Sequence, residues 1–139
     1  MDVVANPRRL PSVAMKYANE IIQKGSEIAT DDFTAFVLIS HDYETDKANL
    51  KMAIGTDVKY IGLLGPAVRG EKTIDDIKAE GLDFKPEDHQ RFYNPIGLDT
   101  GADNPEDIAI SILAEIRAVF HDREGGFLKR RSGTIYKRG

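Results

Sequence analysis

The sequence has no cysteine and no apolar run long enough to cross a bilayer. Without cysteine, the chain can form no disulfide framework and no thiolate zinc site, and it carries no sulfur of its own for transfer. Met1 leads into Asp2 and Asn6, which differs from the basic start and apolar stretch of a secretory signal. These absences predict a cytoplasmic protein that has no membrane partner.

The length and composition are typical of a single folded domain. The chain has 139 residues, so we predict one domain over residues 1–139 with one hydrophobic core. Apolar residues make up 41% of the sequence and charged residues 30%, which differs clearly from the composition of a disordered chain.

Charge is distributed unevenly along the chain. Five of the 19 basic residues lie within residues 129–139, a segment that contains no acidic residue. The first 128 positions therefore contain 14 basic and 23 acidic residues, which gives them a net charge of −9. The acidic body argues against a nucleic-acid partner. The basic tail is either a solvated terminus or a site for an acidic partner or nucleic acid. Its charges are Lys129, Arg130, Arg131, Lys137 and Arg138.

Two compact apolar runs, Phe33 to Ser40 and Tyr60 to Gly65, predict strands that are covered on both faces, as in a parallel sheet. Between them, apolar residues at helical spacing lead to Gly55, which predicts a helix that ends there. The order strand, helix, strand indicates a right-handed crossover. We therefore predict an α/β fold of three layers, with a mostly parallel sheet flanked by helices.

The clearest predicted helix starts at Asn104, whose side chain can cap it, and has Pro105 at the first helical position. Its apolar residues recur on one face, and we expect the helix to end at about Phe120. The residues of that face are Ile108, Ile112, Ile116 and Val119.

Five further segments carry weaker patterns. The sequence "EKTIDDIKAEGL" predicts a short helix that stops at Gly81, and "PEDHQRFY" predicts a helix that starts at Pro86. "NPIGL" predicts a short strand or extended segment. At the N-terminus, "DVVA" is compatible with a strand and "LPSVAMKYANEIIQKG" with a helix that ends at Gly25.

Ligands of open parallel sheets bind beyond the carboxyl ends of the strands, where the loops converge. Three loops of this chain are predicted to meet at that edge, and each carries polar or glycine residues. These residues are Ser40, His41, Asp42 and Asp46 after the first run, Gly65, Pro66, Arg69 and Lys72 after the second, and Asp99, Thr100, Gly101, Asn104 and Glu106 after "NPIGL".

The second loop suits an anion. Gly65 permits a sharp turn, and Arg69 and Lys72 can place two cations near a helix N-terminus, so a phosphate or a pterin phosphate is the expected guest. The alternative is a tight turn with two solvated cations. Gly62 and Gly65 do not have the spacing of a dinucleotide fingerprint.

His41 beside Asp42 could serve in acid-base chemistry, or it could simply pack and form hydrogen bonds at the strand end. Ser40 has no nucleophile elbow around it. The other two histidines, His89 and His121, show no metal-ligand spacing with His41. Asp99 could bind a ligand hydroxyl or cap its loop, and both interpretations stay open.

Three blocks, "SHDYETD", "YIGLLGPAVR" and "NPIGLDTGADNPEDIAISILAEI", together resemble the C-terminal Rossmann-like domain of the XdhC/CoxI family over residues 30–120. Members of that family bind the molybdenum cofactor, assist its sulfuration and deliver it to molybdenum hydroxylases such as xanthine dehydrogenase. The resemblance implies a Rossmann-like domain that acts as a cofactor chaperone and not as a turnover enzyme. It also implies two partners, an apo-hydroxylase and a cysteine desulfurase.

The resemblance also implies which residues bind the cofactor. The family's histidine-aspartate pair and its later aspartate fall on the first loop, and its glycine-rich turn and basic position fall on the second. Its "GLD-GA" loop and helix start fall on the third loop. This last match includes Gly97, Ala102, Pro105 and, later on the helix, Glu115. The predicted cofactor-binding residues are His41, Asp42, Asp46, Gly62, Gly65, Pro66, Arg69, Lys72, Asp99, Thr100, Gly101 and Glu106.

The chain departs from the family in two ways. It lacks the cysteine-containing N-terminal domain and the opening strand with its glycine-rich turn, and Pro66 stands where serine is common. It is therefore either an excised domain or a stand-alone binding half. Two other functions stay open: an oxidoreductase-type domain that binds NAD(P) or a nucleoside phosphate, with His41 as the acid-base group, and a structural remnant whose edge strands pair in a homodimer.

Overall fold

The structure is a computed structural model that describes residues 2–5, 20–23 and 28–132, the first two segments as backbone alone. Strands and helices alternate through most of the described chain. The elements are β1 (Asp2–Ala5), β2 (Glu20–Gln23), β3 (Ala35–Leu38), α1 (Tyr43–Ile54), β4 (Tyr60–Leu63), α2 (Ala67–Ala79), α3 (Pro86–Gln90), β5 (Phe92–Tyr93), α4 (Pro105–Phe120) and a 3₁₀ turn (Leu128–Arg130).

All strand pairs are parallel. β1 pairs with β2, and β3, β4 and β5 form a second sheet in that order. In the second sheet Ala35 lies opposite Tyr60, and Ile61 lies opposite Phe92. The predicted α/β Rossmann-like fold is confirmed. None of the helices in the described part of the chain is long and apolar enough to span a bilayer.

Side chains of β4 alternate between two apolar layers because successive residues of a strand face opposite sides of a sheet. Ile61 and Leu63 pack with Leu50 of α1 and Ile77 of α2 on one face. On the other face, Tyr60 packs with Ile96 and with Ile112 of α4. The central strand is thus enclosed by helices on both sides, as its unbroken apolar sequence predicted.

Gly62, in the middle of β4, has a packing role. A Cβ atom at this position would lie 2.3 Å from Ile96 Cδ1 and 2.9 Å from Tyr60 Cε1. Only glycine leaves room for these two side chains, so the residue is required here for packing of the α4 layer.

The prediction for α4 is confirmed in detail. The Asn104 side chain accepts a hydrogen bond from the Asp107 amide at 2.9 Å, Pro105 occupies the first turn, and the helix ends at Phe120. Ile108, Ile116 and Val119 pack against the core cluster around Tyr60. The helix at 43–54 also ends at Gly55, as predicted.

Other boundaries differ from the predictions. α2 begins at Ala67, four residues earlier than predicted, directly after Pro66. The predicted helix from Pro86 stops at Gln90, because Phe92 and Tyr93 pair with β4 as strand β5. Of the two alternatives for "NPIGL", a short strand or an extended segment, the strand is wrong: the segment follows β5 without strand pairing and has a cis peptide bond between Asn94 and Pro95.

The N-terminal prediction is confirmed in one part and wrong in another. "DVVA" forms strand β1, as expected. Residues 20–23, predicted to be helical, form strand β2 and pair with β1, so that long-range pairing overrides the local helical spacing. The rest of the predicted helix lies outside the described residues, as do Lys137 and Arg138 of the basic tail.

Arg91, just before β5, connects the amino ends of the strands. Its guanidinium donates hydrogen bonds to the carbonyl oxygens of Ile54 at 2.7 Å, Thr56 at 2.6 Å and Val58 at 3.0 Å. It also contacts Asp88 of α3 at 2.8 Å. One side chain thereby holds together the end of α1, the approach to β4 and the turn before β5.

Candidate functional site

Asp46, in the first turn of α1, joins two of the three loops at the carboxyl edge of the sheet. Its side chain is nearly inaccessible to solvent. Oδ1 accepts hydrogen bonds from Ser40 N at 3.2 Å and Ser40 Oγ at 2.7 Å, and Oδ2 contacts the Arg69 guanidinium at 3.3 Å. The loop after β3 and the start of α2 are therefore tied together through one buried carboxylate.

Arg69 has a hydrogen-bond donor that the described residues leave without a partner. Besides the contact with Asp46, its Nε is buried and has no hydrogen-bond partner among the described residues. Buried polar groups are nearly always hydrogen-bonded, so an orphaned donor on a side chain that is 28% exposed needs an explanation. An anionic ligand at this edge would supply the missing acceptor.

Lys72 lies one turn further along α2 and provides a second cation. Its Nζ is 4.4 Å from the centroid of the Tyr43 ring, within reach of a cation-π interaction. The Tyr43 hydroxyl donates a hydrogen bond to Asp76; burial, and then this hydrogen bond, raise the pKa of Tyr43. The lysine is exposed, and its spacing of three residues from Arg69 places both on the same side of α2.

The start of α2 favours a negative charge. Its N-cap residue, Pro66, makes no side-chain capping hydrogen bond, and the first turn contains no acidic residue. Helices α1 and α4 differ from α2 in both respects. Each has a capping side chain, Asp42 or Asn104, and acidic residues in its first turn. The uncapped amides and the helix dipole therefore leave the N-terminus of α2 suited to an anion.

His41 and Asp42 have different local roles. Asp42 is the N-cap of α1, where its carboxylate accepts hydrogen bonds from the Thr45 amide at 3.3 Å and from the Thr45 hydroxyl. His41 is exposed and has a φ of 60°, which turns the chain sharply between β3 and the helix. The structure thus shows Asp42 as a capping residue, and the binding role of both residues stays a prediction.

A shallow open cleft of about 430 Å³ lies between the turn before α2 and the loop before α4. Gly65 and Pro66 line one wall, and residues 99–102 line the other. Gly65 has a φ of 129°, and its ideal Cβ position is 3.4 Å from the Arg69 side chain. The sharp turn at Gly65 therefore connects the cleft with Arg69.

The structure sorts the predicted binding residues into three sets. Asp46 and Arg69 contact each other near the start of α2, with Lys72 one turn further along that helix, and Gly65, Pro66 and the "DTG" loop line the cleft. Gly62 is buried inside β4, and Glu106 is exposed on the first turn of α4; neither lines the cleft. The sheet edge brings the first two sets together as the parallel topology predicts, while their ligand contacts stay predictions.

Asn94 shapes the site but was not among the predicted site residues; the sequence predicted only a short strand or extended segment there. Its Nδ2 donates hydrogen bonds to the carbonyl oxygens of Leu63 at 3.1 Å and Gly65 at 3.0 Å. Gly70 of α2 makes room for it, because a Cβ there would lie 2.0 Å from Asn94 Oδ1. Asn94 therefore fixes the end of β4 and the turn that carries the cations.

Glu115 of α4 supports the other wall of the cleft. Its Oε1 accepts hydrogen bonds from the Tyr60 hydroxyl at 2.7 Å and from the Gly97 amide at 2.9 Å. Tyr60 stacks on Tyr93 with the ring centroids 4.7 Å apart. Burial, and then the contact with Glu115, raise the pKa of Tyr60, so its hydroxyl stays protonated and donates to Glu115. The family motif included Glu115, but no local pattern indicates this contact.

Within residues 28–132, whose side chains are described, no three His, Cys, Asp or Glu side chains are grouped to hold a metal ion. His89 packs edge-on against Phe84 with ring centroids 4.6 Å apart, a packing role for this histidine. The donors that converge on the site are cations and amides, which recognise an anion and not a metal.

These features define a Rossmann-like domain whose carboxyl edge carries an uncapped helix start and a buried donor without a described partner, and comparison with known proteins supplies the family. The family model described as "XdhC Rossmann domain" matches residues 2–116. The chain therefore belongs to the XdhC Rossmann-domain family, as the resemblance predicted.

Among curated proteins, the chain is 33% identical over 104 residues to a probable xanthine dehydrogenase subunit of Bacillus subtilis (strain 168), covering 71% of this chain and 29% of that protein. It is 32% identical over 98 residues to "Uncharacterized protein YqeB" of Escherichia coli (strain K12), covering 70% of this chain and 17% of that protein. The chain thus spans less than a third of either relative.

Among solved structures, the chain is similar to a xanthine dehydrogenase from Bacillus halodurans, with a TM-score of 0.66 and 24% identity. The likeness covers 88% of this chain and 35% of that one. At this level of identity, it supports the fold and carries no argument about activity.

Proposed function

We propose that this chain is a binding domain for the molybdenum cofactor and helps to insert that cofactor into a molybdenum hydroxylase such as xanthine dehydrogenase. Its membership of the XdhC family supports this function. The single observation on which the proposal depends is the buried Nε of Arg69, which lacks a partner among the described residues at an edge suited to an anion. The cofactor carries a phosphate that would accept this hydrogen bond.

In this proposal, Arg69, Lys72 and the uncapped amides of α2 hold the phosphate. The pterin ring occupies the adjacent cleft, where Asp99 and Thr100 supply polar groups at the rim. The bound cofactor supplies the molybdenum centre that the hydroxylase uses. Because the chain has no cysteine, sulfur would come from a partner such as a cysteine desulfurase, and the domain would act as a carrier.

The test is equilibrium binding of molybdenum cofactor, released from a donor protein, to the purified chain, with NAD and nucleoside phosphates as parallel ligands. We expect saturable binding of the cofactor that weakens about tenfold in Lys72→Ala, since a lost charge-assisted contact costs about 1.5 kcal/mol. Lys78→Ala is the matched control, because this lysine is exposed in the last turn of the same helix.

Equal affinities of the two lysine variants would remove Lys72 from the site, and absence of cofactor binding would refute the proposal. Saturable binding of NAD alone would support the oxidoreductase-type alternative, which could use the same edge. Arg69→Ala is a less clean probe, because it also removes the partner of the buried Asp46 carboxylate. The cofactor affinity of this variant should therefore be interpreted together with its melting temperature.

A further inference from the structure

Asp46 is held in place by the protein through both of its carboxylate oxygens. Its side chain is only 3% exposed, so the charge is almost completely removed from water. Oδ1 accepts hydrogen bonds from the Ser40 amide at 3.2 Å and from the Ser40 hydroxyl at 2.7 Å. Oδ2 accepts from the Arg69 guanidinium at 3.3 Å. The carboxylate is therefore a fixed support on which the arginine rests.

The Arg69 side chain is restrained at two points. Asp46 binds Nη2 at the end of the guanidinium group. The turn at Gly65 lies against the aliphatic part, because an ideal Cβ on this glycine would be 3.4 Å from Arg69 Cδ. Nε lies between these two points, is buried, and has no partner among the described residues. The restraints therefore orient a donor that the described part of the chain does not use.

The charge of Asp46 has two opposite effects on an anion that approaches Arg69. A carboxylate repels the anion, so charge alone predicts that Asp46 weakens anion binding. A flexible arginine loses rotamer freedom when it binds a ligand, so a partner that already restrains it strengthens binding. Because Arg69 and two hydrogen bonds from Ser40 already balance the Asp46 charge, we expect the second effect to be the larger one.

We propose that Asp46 is a positioning residue of the anion site: it orients Arg69 toward a phosphate group and does not contact the ligand itself. The inference rests on the proposed function, in which the phosphate binds at the start of α2. It changes the role that the family resemblance implied for Asp46, from a ligand contact to the support of one. Tight binding of a negative ligand thus requires a negative residue.

The first test is binding of inorganic phosphate to the 139-residue chain at constant ionic strength, followed by NMR through the Nε–H signal of Arg69. We expect this signal to shift with saturation in the wild-type chain. Asp46→Asn removes the charge but keeps the size of the side chain, and it should weaken phosphate binding about tenfold. Stronger or equal binding in this variant would overturn the proposal, because repulsion alone predicts an increase in affinity.

A double-mutant cycle tests whether Asp46 acts through Arg69. Arg69→Met removes the guanidinium group and keeps an unbranched aliphatic side chain beside Gly65. If Asp46 only positions the arginine, adding Asp46→Asn to Arg69→Met should leave the phosphate affinity unchanged. A tenfold loss that persists without the arginine would contradict the proposal. This readout separates positioning from a general structural role, which would lower the affinity in both backgrounds.

Asp75→Asn is the matched control for charge, because Asp75 is an exposed acid of the same helix and its substitution changes the net charge equally. We expect its phosphate affinity to stay within about twofold of wild type. The melting temperature of each variant shows that it is folded.

The cofactor titration distinguishes this inference from the proposed function. Cofactor binding that is equally tight in wild type and Asp46→Asn would overturn the positioning role and leave the proposed function intact. Phosphate binding that shows the expected losses, in a chain that does not bind the cofactor, would support the positioning role and refute the proposed function. A wild-type chain that binds neither ligand would overturn both.

Discussion

Arg91 and Arg69 stand at opposite ends of the same three-stranded sheet and are used in contrasting ways. Arg91, at the amino ends, donates to three backbone carbonyls and to Asp88. Arg69, at the carboxyl ends, contacts one carboxylate and keeps a buried donor without a described partner. The comparison indicates that the described residues use the donors of Arg91 fully for stability, whereas at the carboxyl edge they leave one donor of Arg69 unpaired.

The largest effect is expected from Arg91→Ala. The substitution leaves three carbonyl oxygens and the Asp88 carboxylate without their donor, in a region where both side chains are mostly buried. We expect a loss of about 3 kcal/mol in the free energy of unfolding, measured by urea denaturation. Arg117→Ala, at an exposed position of α4, should change stability by less than about 0.5 kcal/mol. Similar losses of stability in both variants would contradict the special role of Arg91 in stabilising the amino edge.

A smaller effect is expected from Gly70→Ala, which disturbs the carboxyl edge through volume and not through charge. The new methyl group would displace Asn94 and its two hydrogen bonds to the end of β4. Better helix propensity offsets part of this loss, so we expect a net cost of about 1 to 2 kcal/mol by thermal or urea unfolding.

Gly126→Ala is the control for that substitution, since an added Cβ there meets no atom within 4 Å. It should be nearly neutral. If Gly70→Ala were equally neutral, Asn94 would have room to move, and the turn at Gly65 would not depend on it.

The smallest effect concerns acid stability of the amino edge. Burial alone would raise the pKa of Asp88, but hydrogen bonds from the Lys85 amide and from Arg91 lower it on balance. A lowered pKa contributes stability that is present above the unfolded value, about 3.9, and is lost as pH falls through the folded value. As the pH falls from about 6 to about 3, the free energy of unfolding should therefore decrease less in Asp88→Asn than in the wild-type chain. Parallel pH profiles for both proteins would contradict this role.

Elements with strong local signals could be predicted from the sequence. α4 has a capping asparagine, a first-turn proline and a repeating apolar face, and each of these depends on nearby residues alone. β3 and β4 were recognisable as buried parallel strands because their apolar runs barely alternate. β2 was not, because its pairing with β1 depends on residues eighteen positions away.

For the candidate site, the sequence could place three loops at one edge, because parallel strands end on the same side. It could not show that Asn94 holds the carbonyl oxygens of Leu63 and Gly65, or that Asp46 is buried against Arg69. These contacts join residues 23 to 31 positions apart, and no local pattern encodes them. The sequence therefore identified the residues of the edge but not the supports that fix their geometry.

The position of Lys72 above the Tyr43 ring has a spectroscopic consequence. The chain contains five tyrosines and no tryptophan, so tyrosine fluorescence is not quenched by energy transfer to tryptophan. Tyr43 lies beneath a cation of the proposed phosphate site and is hydrogen-bonded to Asp76. A change in the ultraviolet tyrosine fluorescence that is lost in Tyr43→Phe would thus report events at the start of α2, with no added dye.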